Sequence, residues 1–235
     1  MVINEPEHAQ LSHIDGDLDT CLSIFYKDHF PFTQMYEWFS YGDPLSFSRR
    51  EFSITLDNGV YLRFQSYNTE GEMKEKISGQ CPRKIDIGAV YSTKPSEKRF
   101  QVLSFHPVER ELVIDIDLTD YDDVPTCCEG KEICSYCWKF VVVAVRIIDD
   151  VLKYDFGFRH RLWVYSSRRG VHHYWIFDRR ARMLSSGGRK AIISFIELVR
   201  GGEEQKKKVH LSSQDGILHP SIQRSLTNIY KQCAI

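Results

Sequence analysis

The chain has 235 residues, 42% hydrophobic and 13% aromatic, with 31 basic against 32 acidic side chains. That balance excludes a disordered segment, a collagen-like repeat and a coiled coil, and the length is enough to bury a sizeable core. The neutral total conceals an asymmetry: residues 1–48 hold eight acids and one Lys, whereas residues 156–235 hold fifteen Lys/Arg and five acids, so the basic end is either a surface for phosphates or nucleic acid or simply a solvated face.

The opening Met1-Val2-Ile3-Asn4-Glu5-Pro6-Glu7 has neither the basic stretch nor the apolar core of a signal peptide, and no apolar run reaches the ~18 residues of a membrane span. The chain is expected in the cytosol or nucleus, where its seven Cys serve as thiols or metal ligands rather than disulfides. Leu18, Leu22, Phe25, Phe30, Met35 and Trp38 recur at helical spacing and predict two short helices, the second opened by Pro31. Glu51 to Leu56 and Val60 to Gln65 alternate on either side of Asp57-Asn58-Gly59, a β-hairpin signature. Residues 68–82 are polar and turn-rich, Lys84 to Tyr91 and Leu112 to Leu118 read as further strands, and residues 92–110 read as a loop. Tyr136 to Lys153 predicts a helix with a wide apolar face, ended at Phe156-Gly157. Leu162 to Tyr165 and Val171 to Phe177 predict a strand pair, and Ala191 to Val199 and Ser221 to Tyr230 predict helices. The mixture is α/β with several antiparallel pairs, without an internal repeat or a linker between independent domains.

Chemistry concentrates in three places. On the strand from Leu112 to Leu118, alternation puts Asp115 and Asp117 on one face while Ile114, Ile116 and Leu118 enter the core. Neighbouring carboxylates repel unless a cation lies between them, and a hard ion such as Mg²⁺ favours one or two carboxylates with phosphate oxygens and waters. The plainer alternative is that they begin the acidic loop Asp120-Tyr121-Asp122-Asp123. Cys127, Cys128, Cys134 and Cys137 follow; four thiolates at this spacing can wrap one Zn²⁺ with no open position, a structural site, with a redox or incidental cluster as the alternative. The run Ser166-Ser167-Arg168-Arg169-Gly170-Val171-His172 gathers hydroxyls, guanidinium groups and an imidazole, a donor set for a triphosphate or else an exposed basic turn. Tyr61 with Arg63, and Lys84 with Asp86, alternate on strand faces, as ordinary surface ladders also do.

The order of these segments resembles the small catalytic subunit of eukaryotic DNA primase, in the archaeo-eukaryotic primase family. The matching stretches are Arg50 to Ser53, Tyr61 to Ser66, Lys84 to Tyr91, Asp115 to Asp123, the four-Cys cluster, Asp155-Phe156-Gly157-Phe158, Ser166 to His172 and Lys206 to Ser212. The resemblance implies an α/β (α+β) primase fold: a mixed β-sheet flanked by helices, one catalytic domain over residues 1–235, with a zinc motif inserted at 127–137. It implies synthesis of short RNA primers on single-stranded DNA from ribonucleoside triphosphates by two-metal nucleotidyl transfer. Asp115 and Asp117 would hold catalytic Mg²⁺ or Mn²⁺, and Cys127, Cys128, Cys134 and Cys137 a structural Zn²⁺. Glu51, Tyr61, Arg63, Lys84, Asp86, Ser166, Arg168, Arg169, Gly170 and His172 would surround the incoming nucleotide. The implied partners are the primase large subunit and the DNA polymerase alpha complex, in the nucleus, with no membrane.

Two features depart from the family pattern. Family members continue past Ile235 and carry a third metal-binding aspartate there, so the resemblance implies a catalytic domain incomplete at its C-terminus, with little activity alone. The pattern also runs from the His to a Trp across one residue, whereas His172-His173-Tyr174-Trp175 has two, an extra residue that only a bulge can absorb. A non-catalytic zinc-bearing module that binds nucleotide or partner is the second reading. An Asp-x-Asp sugar-nucleotide transferase, the third, leaves the Cys cluster and the Ser-Arg-Arg-Gly turn unexplained.

Overall fold

A computed structural model describes residues 18–100, 102–117, 128, 134–164, 170–196 and 218–230. It divides into two compact units, Met1–Val108 and Glu109–Ile235.

In the first unit, α1 (Leu18–Ile24) runs into a π-helical turn, Phe25–His29, and α2 (Phe32–Ser40) follows Pro31, as the spacing predicts. The short α3 (Pro44–Ser48), which sequence periodicity does not reveal, is capped by Asp43, whose carboxylate accepts from the backbone N–H groups of Leu45 and Ser46 at 3.0 and 3.1 Å. The predicted hairpin is β1 (Arg50–Thr55) against β2 (Tyr61–Gln65), with Gly59 at φ +78 in its turn. Residues 68–82, predicted to be turn-rich, instead fold into α4 (Glu70–Gln80). Its start is fixed by Thr69, whose hydroxyl accepts from Glu72 N–H at 3.2 Å, while Glu72 reaches back to Asn68 N–H at 2.7 Å. Next come β3 (Lys84–Tyr91), a 3₁₀ turn at Pro95–Phe100 and β4 (Pro107–Glu109), so the predicted loop at 92–110 holds two short elements. The sheet order is β2-β1-β3-β4. Phe52 and Ile54 point from β1 into a core shared with Phe47, Tyr67, Met73 and Ile77, all at most 2% exposed.

The second unit is built on a three-stranded sheet of order β5-β7-β6, with β5 (Leu112–Asp117), β6 (Arg161–Trp163) and β7 (Gly170–Ile176) paired antiparallel. The predicted long helix is α5 (Ser135–Asp150), which continues through a π-helical turn at Val151–Asp155 before Phe156 and Gly157 end it. The second unit's main core joins Leu112, Ile114 and Ile116 of β5 to Ile148 and Leu152, with Ile176, Ala181 and Ile192. The last two come from α6 (Arg179–Arg182) and α7 (Ser186–Ile196), and α8 (Pro220–Ser225) is clasped to the end of the long helix. That clasp is Asp155, which accepts from Arg224 at 3.0 and 2.6 Å and from the Ser221 hydroxyl at 2.8 Å. The Arg224 guanidinium, with help from Ser221, holds the Asp155 carboxyl below its usual range. No helix among the described residues is long and apolar enough to cross a membrane.

Candidate functional site

Five of the residues singled out from the sequence come together on the outer face of the first sheet. Glu51 is buried on the central strand β1, and its Oε1 lies 3.2 Å from Arg63 Nη2 on β2. Its Oε2 accepts from the Tyr91 hydroxyl at 3.0 Å, and the Ser53 hydroxyl reaches Oε1 at 3.4 Å. Beside this cluster, Asp86 on β3 accepts from the Tyr61 hydroxyl at 3.2 Å and pairs with Lys84 Nζ at 3.0 Å. The two carboxylates thus orient two cations that stay largely in water, at 53% exposure for Arg63 and 66% for Lys84. Exposed, oriented guanidinium and ammonium groups have the chemistry to meet phosphate or carboxylate oxygens.

Backbone irregularities aim these side chains. Between Arg50↔Val90 and Phe52↔Ile87 strand β3 carries one extra residue, a bulge at Gly88–Ala89 opposite Glu51. A Cβ on Gly88 would stand 2.8 Å from Glu51 Cβ, so only Gly permits the buried carboxylate its place. Arg50, fully buried on the other side of β1, donates to the carbonyls of Gly88 at 3.0 Å and Phe39 at 3.4 Å and to the Tyr41 hydroxyl. A second bulge, at Arg63–Phe64 of β2, places Phe64 at φ +58. That left-handed conformation is rare for an aromatic residue, and such strain recurs at binding sites. Tyr91, Ser53 and the arginine anchor were not identified as site residues from the sequence. Tyr91 reaches the Glu51 face because the Gly88–Ala89 bulge switches the alternation of β3.

In the second unit Asp115 is exposed on β5, on the opposite side from the buried Ile114 and Ile116. Asp117 is the last residue of that strand and pairs with Gly170. Between Ile114↔Tyr174 and Ile116↔Val171 strand β7 holds one residue more than β5, so His172 and His173 form a bulge opposite Asp115. The extra residue noted in the sequence is absorbed there, and the Ile114, Ile116 register survives. The side chains of Asp117 and His172, and all of Ser166, Arg168 and Arg169, lie outside the described residues. So does Cys127.

The other three cysteines are together: the sulfur atoms of Cys128, Cys134 and Cys137 all lie within 4.8 Å of one another, with Cys134 and Cys137 at 3.8 Å. Two thiolates sharing one tetrahedral Zn²⁺ at about 2.3 Å would be about 3.8 Å apart, so this donor set fits zinc. Cys134 is also the residue before α5, which ties such a site to the start of that helix.

Comparison with known proteins follows the same lines. The sequence profile of the family described as DNA primase small subunit matches residues 114–235. The chain is 39% identical over 224 residues to the DNA primase small subunit of Schizosaccharomyces pombe, covering 94% of this chain and 49% of that protein. It is 43% identical over 184 residues to the DNA primase small subunit of Drosophila melanogaster, covering 77% of this chain and 42% of that one. With the Saccharomyces cerevisiae protein of the same name it shares 33% identity over 218 residues, 92% of this chain and 52% of that protein. The chain spans about half the length of the relatives it matches. Identity of this degree over most of its residues, with the profile match across its later part, shows that the chain belongs to the DNA primase small subunit family.

Proposed function

We propose that the chain is the nucleotide- and metal-binding part of a primase catalytic subunit, which joins ribonucleotides into short RNA primers on single-stranded DNA. The observation that supports this reading most is the hydrogen-bonded set of Glu51, Arg63, Tyr61, Asp86 and Lys84 on one sheet face, in a chain of the primase small subunit family. Arg63 and Lys84 meet phosphate oxygens of the incoming nucleotide and Tyr61 its ribose, while Glu51 and Asp86 hold those groups in place. Ser166, Arg168, Arg169, Gly170 and His172 are a second set of phosphate donors, which the family resemblance of their sequence supports.

Asp115 and Asp117 are the carboxylates for Mg²⁺ or Mn²⁺; alternation along β5 is what would set the second beside the first. When bound, such ions lower the barrier by activating the 3′-hydroxyl and steadying the pyrophosphate that leaves. Cys127 with Cys128, Cys134 and Cys137 forms a closed zinc site whose role is structural. The primase large subunit and the DNA polymerase alpha complex are the partners, and the nucleus the location, that this reading carries.

Incorporation of labelled ribonucleotides on a single-stranded DNA template in Mn²⁺, by the protein with its co-purifying subunits, tests the reading. Asp115→Asn should lower product by roughly a hundredfold or more. Template-directed RNA synthesis that survives this substitution would contradict it.

A further inference from the structure

The connection between β3 and β4, residues 92–106, carries a surface that nucleotide binding does not use. Its base is closed: Ser92 N–H donates to the His106 carbonyl at 2.9 Å, and His106 N–H to the Ser92 hydroxyl at 3.2 Å. Its flank is tied to the segment after β2, with Lys94 Nζ donating to Asn68 Oδ1 at 2.7 Å and the Ser66 and Ser96 hydroxyls 3.0 Å apart. A loop held at both places keeps its tip in solvent: Phe100 is 88% exposed, Val102 67% and Leu103 fully exposed, with Arg99 exposed beside them.

Behind the tip, aromatic rings and cations alternate. Lys98 Nζ lies 3.7 Å from the Phe64 ring centroid and 5.5 Å from that of Phe105. Phe105 stacks on Tyr91 with centroids 4.1 Å apart and planes 6° from parallel, and the Tyr91 hydroxyl bonds Glu51. Arg63 covers Phe64 from its own strand at 4.7 Å. A path of π faces and positive charges therefore leads from the exposed tip to the outer face of the sheet.

Unstacked bases offer π faces to such rings and their phosphates meet such cations, whereas duplex bases are already stacked. A protein surface would be matched by Phe100, Val102 and Leu103 alone, but Lys94, Lys98 and Arg99 against the single Glu97 call for a polyanion. We propose that this loop grips single-stranded nucleic acid, with a base stacked on Phe100 and phosphates met by Arg99 and Lys98, and leads it to the nucleotide-binding face of the first unit. The inference rests on the proposed function in taking that strand to be the DNA template and its destination to be the nucleotide-binding face; the grip of the loop on the strand stands apart from both.

Anisotropy titrations with a labelled oligo(dT) across a range of salt test it, using Phe100→Ala and Arg99→Ala, both at exposed positions. Each variant should bind the oligonucleotide about tenfold more weakly, and Arg99→Ala should flatten the log–log salt dependence by about 0.7. Ribonucleotide affinity in Mn²⁺ should stay at the wild-type level in both. Oligonucleotide affinity within about twofold of wild type would overturn the proposal, as would intact oligonucleotide binding with loss of a co-purifying protein, which would give the surface to a protein partner. Weakened oligonucleotide binding by the variants of a protein that binds no ribonucleotide would uphold this surface and strike the proposed function instead.

Discussion

The guanidinium of Arg50 has no access to solvent, yet it is among the groups on which the first unit's outer face depends. Its donors hold the Gly88 carbonyl inside the bulge that faces Glu51, and its charge lies 5.0 and 5.1 Å from the Phe39 and Tyr41 rings. Arg50→Met keeps the stem but strands buried carbonyls, so urea unfolding should show a loss of about 3 kcal/mol; a loss below about 1 kcal/mol would mean the anchor is dispensable. Gly88→Ala tests the same bulge from outside, because the new methyl would meet Glu51 Cβ at 2.8 Å and its backbone oxygen at 3.1 Å. Overpacking of this kind costs about 1 to 3 kcal/mol, and ribonucleotide affinity should fall with it as Glu51 and Arg63 are displaced. At this scale alternation made legible that Tyr61 shares a strand face with Arg63 and Lys84 with Asp86, whereas Glu51 was singled out by the family resemblance alone. Tyr91 was not legible, since a bulge reverses the alternation between it and Lys84, and one residue's slip cannot be read from residue types.

At the scale of elements, α4 shows how a local signal can outweigh composition. Polar residues with Gly71 and Gly79 read as turns, but Thr69 and Glu72 form a start signal that periodicity does not register. Lys76 first, then the Asn68 N–H, pull the Glu72 carboxyl from 4.5 down to about 2. A carboxyl whose folded-state pKa is depressed adds stability that is complete above about pH 4.5 and is lost as pH falls toward about 2. Thermal melts should therefore show wild type ahead of Glu72→Gln near neutral pH, with the gap closing by about pH 2; a gap that persists in acid would show that charge is not its source. The clasp between α8 and the end of α5 is a second such element. Arg224→Met should leave the fold intact but raise amide exchange over residues 220–230 about fivefold, the equivalent of about 1 kcal/mol, and unchanged exchange would show that the helix is held by apolar packing alone.

For the whole molecule, the Asp strand and the long amphipathic helix were legible because each has a strong period and a buried face, and the antiparallel β6–β7 pair because two apolar runs flank the Ser-Arg-Arg-Gly turn. The short α3, α6 and β4 were not, being too brief for any period to repeat. The zinc assignment is a claim about the second unit as a whole, since it would pin the strand of Asp115 to the helix that covers its core. Metal analysis should find one zinc per chain, and Cys134→Ser should lower thermal stability by about 2 kcal/mol or more while leaving ribonucleotide affinity nearly unchanged. Protein purified without zinc and fully stable would remove the site.

The proposed function puts a ribonucleoside triphosphate on the outer face of the first sheet. Calorimetric titration with a ribonucleoside triphosphate in Mn²⁺, wild type beside Arg63→Ala, tests it most directly. Wild type should bind saturably, and the variant with an affinity lower by about 1.5 to 3 kcal/mol, roughly 10- to 150-fold, the worth of one charge-assisted contact. Equal affinity in the two proteins would contradict that placement.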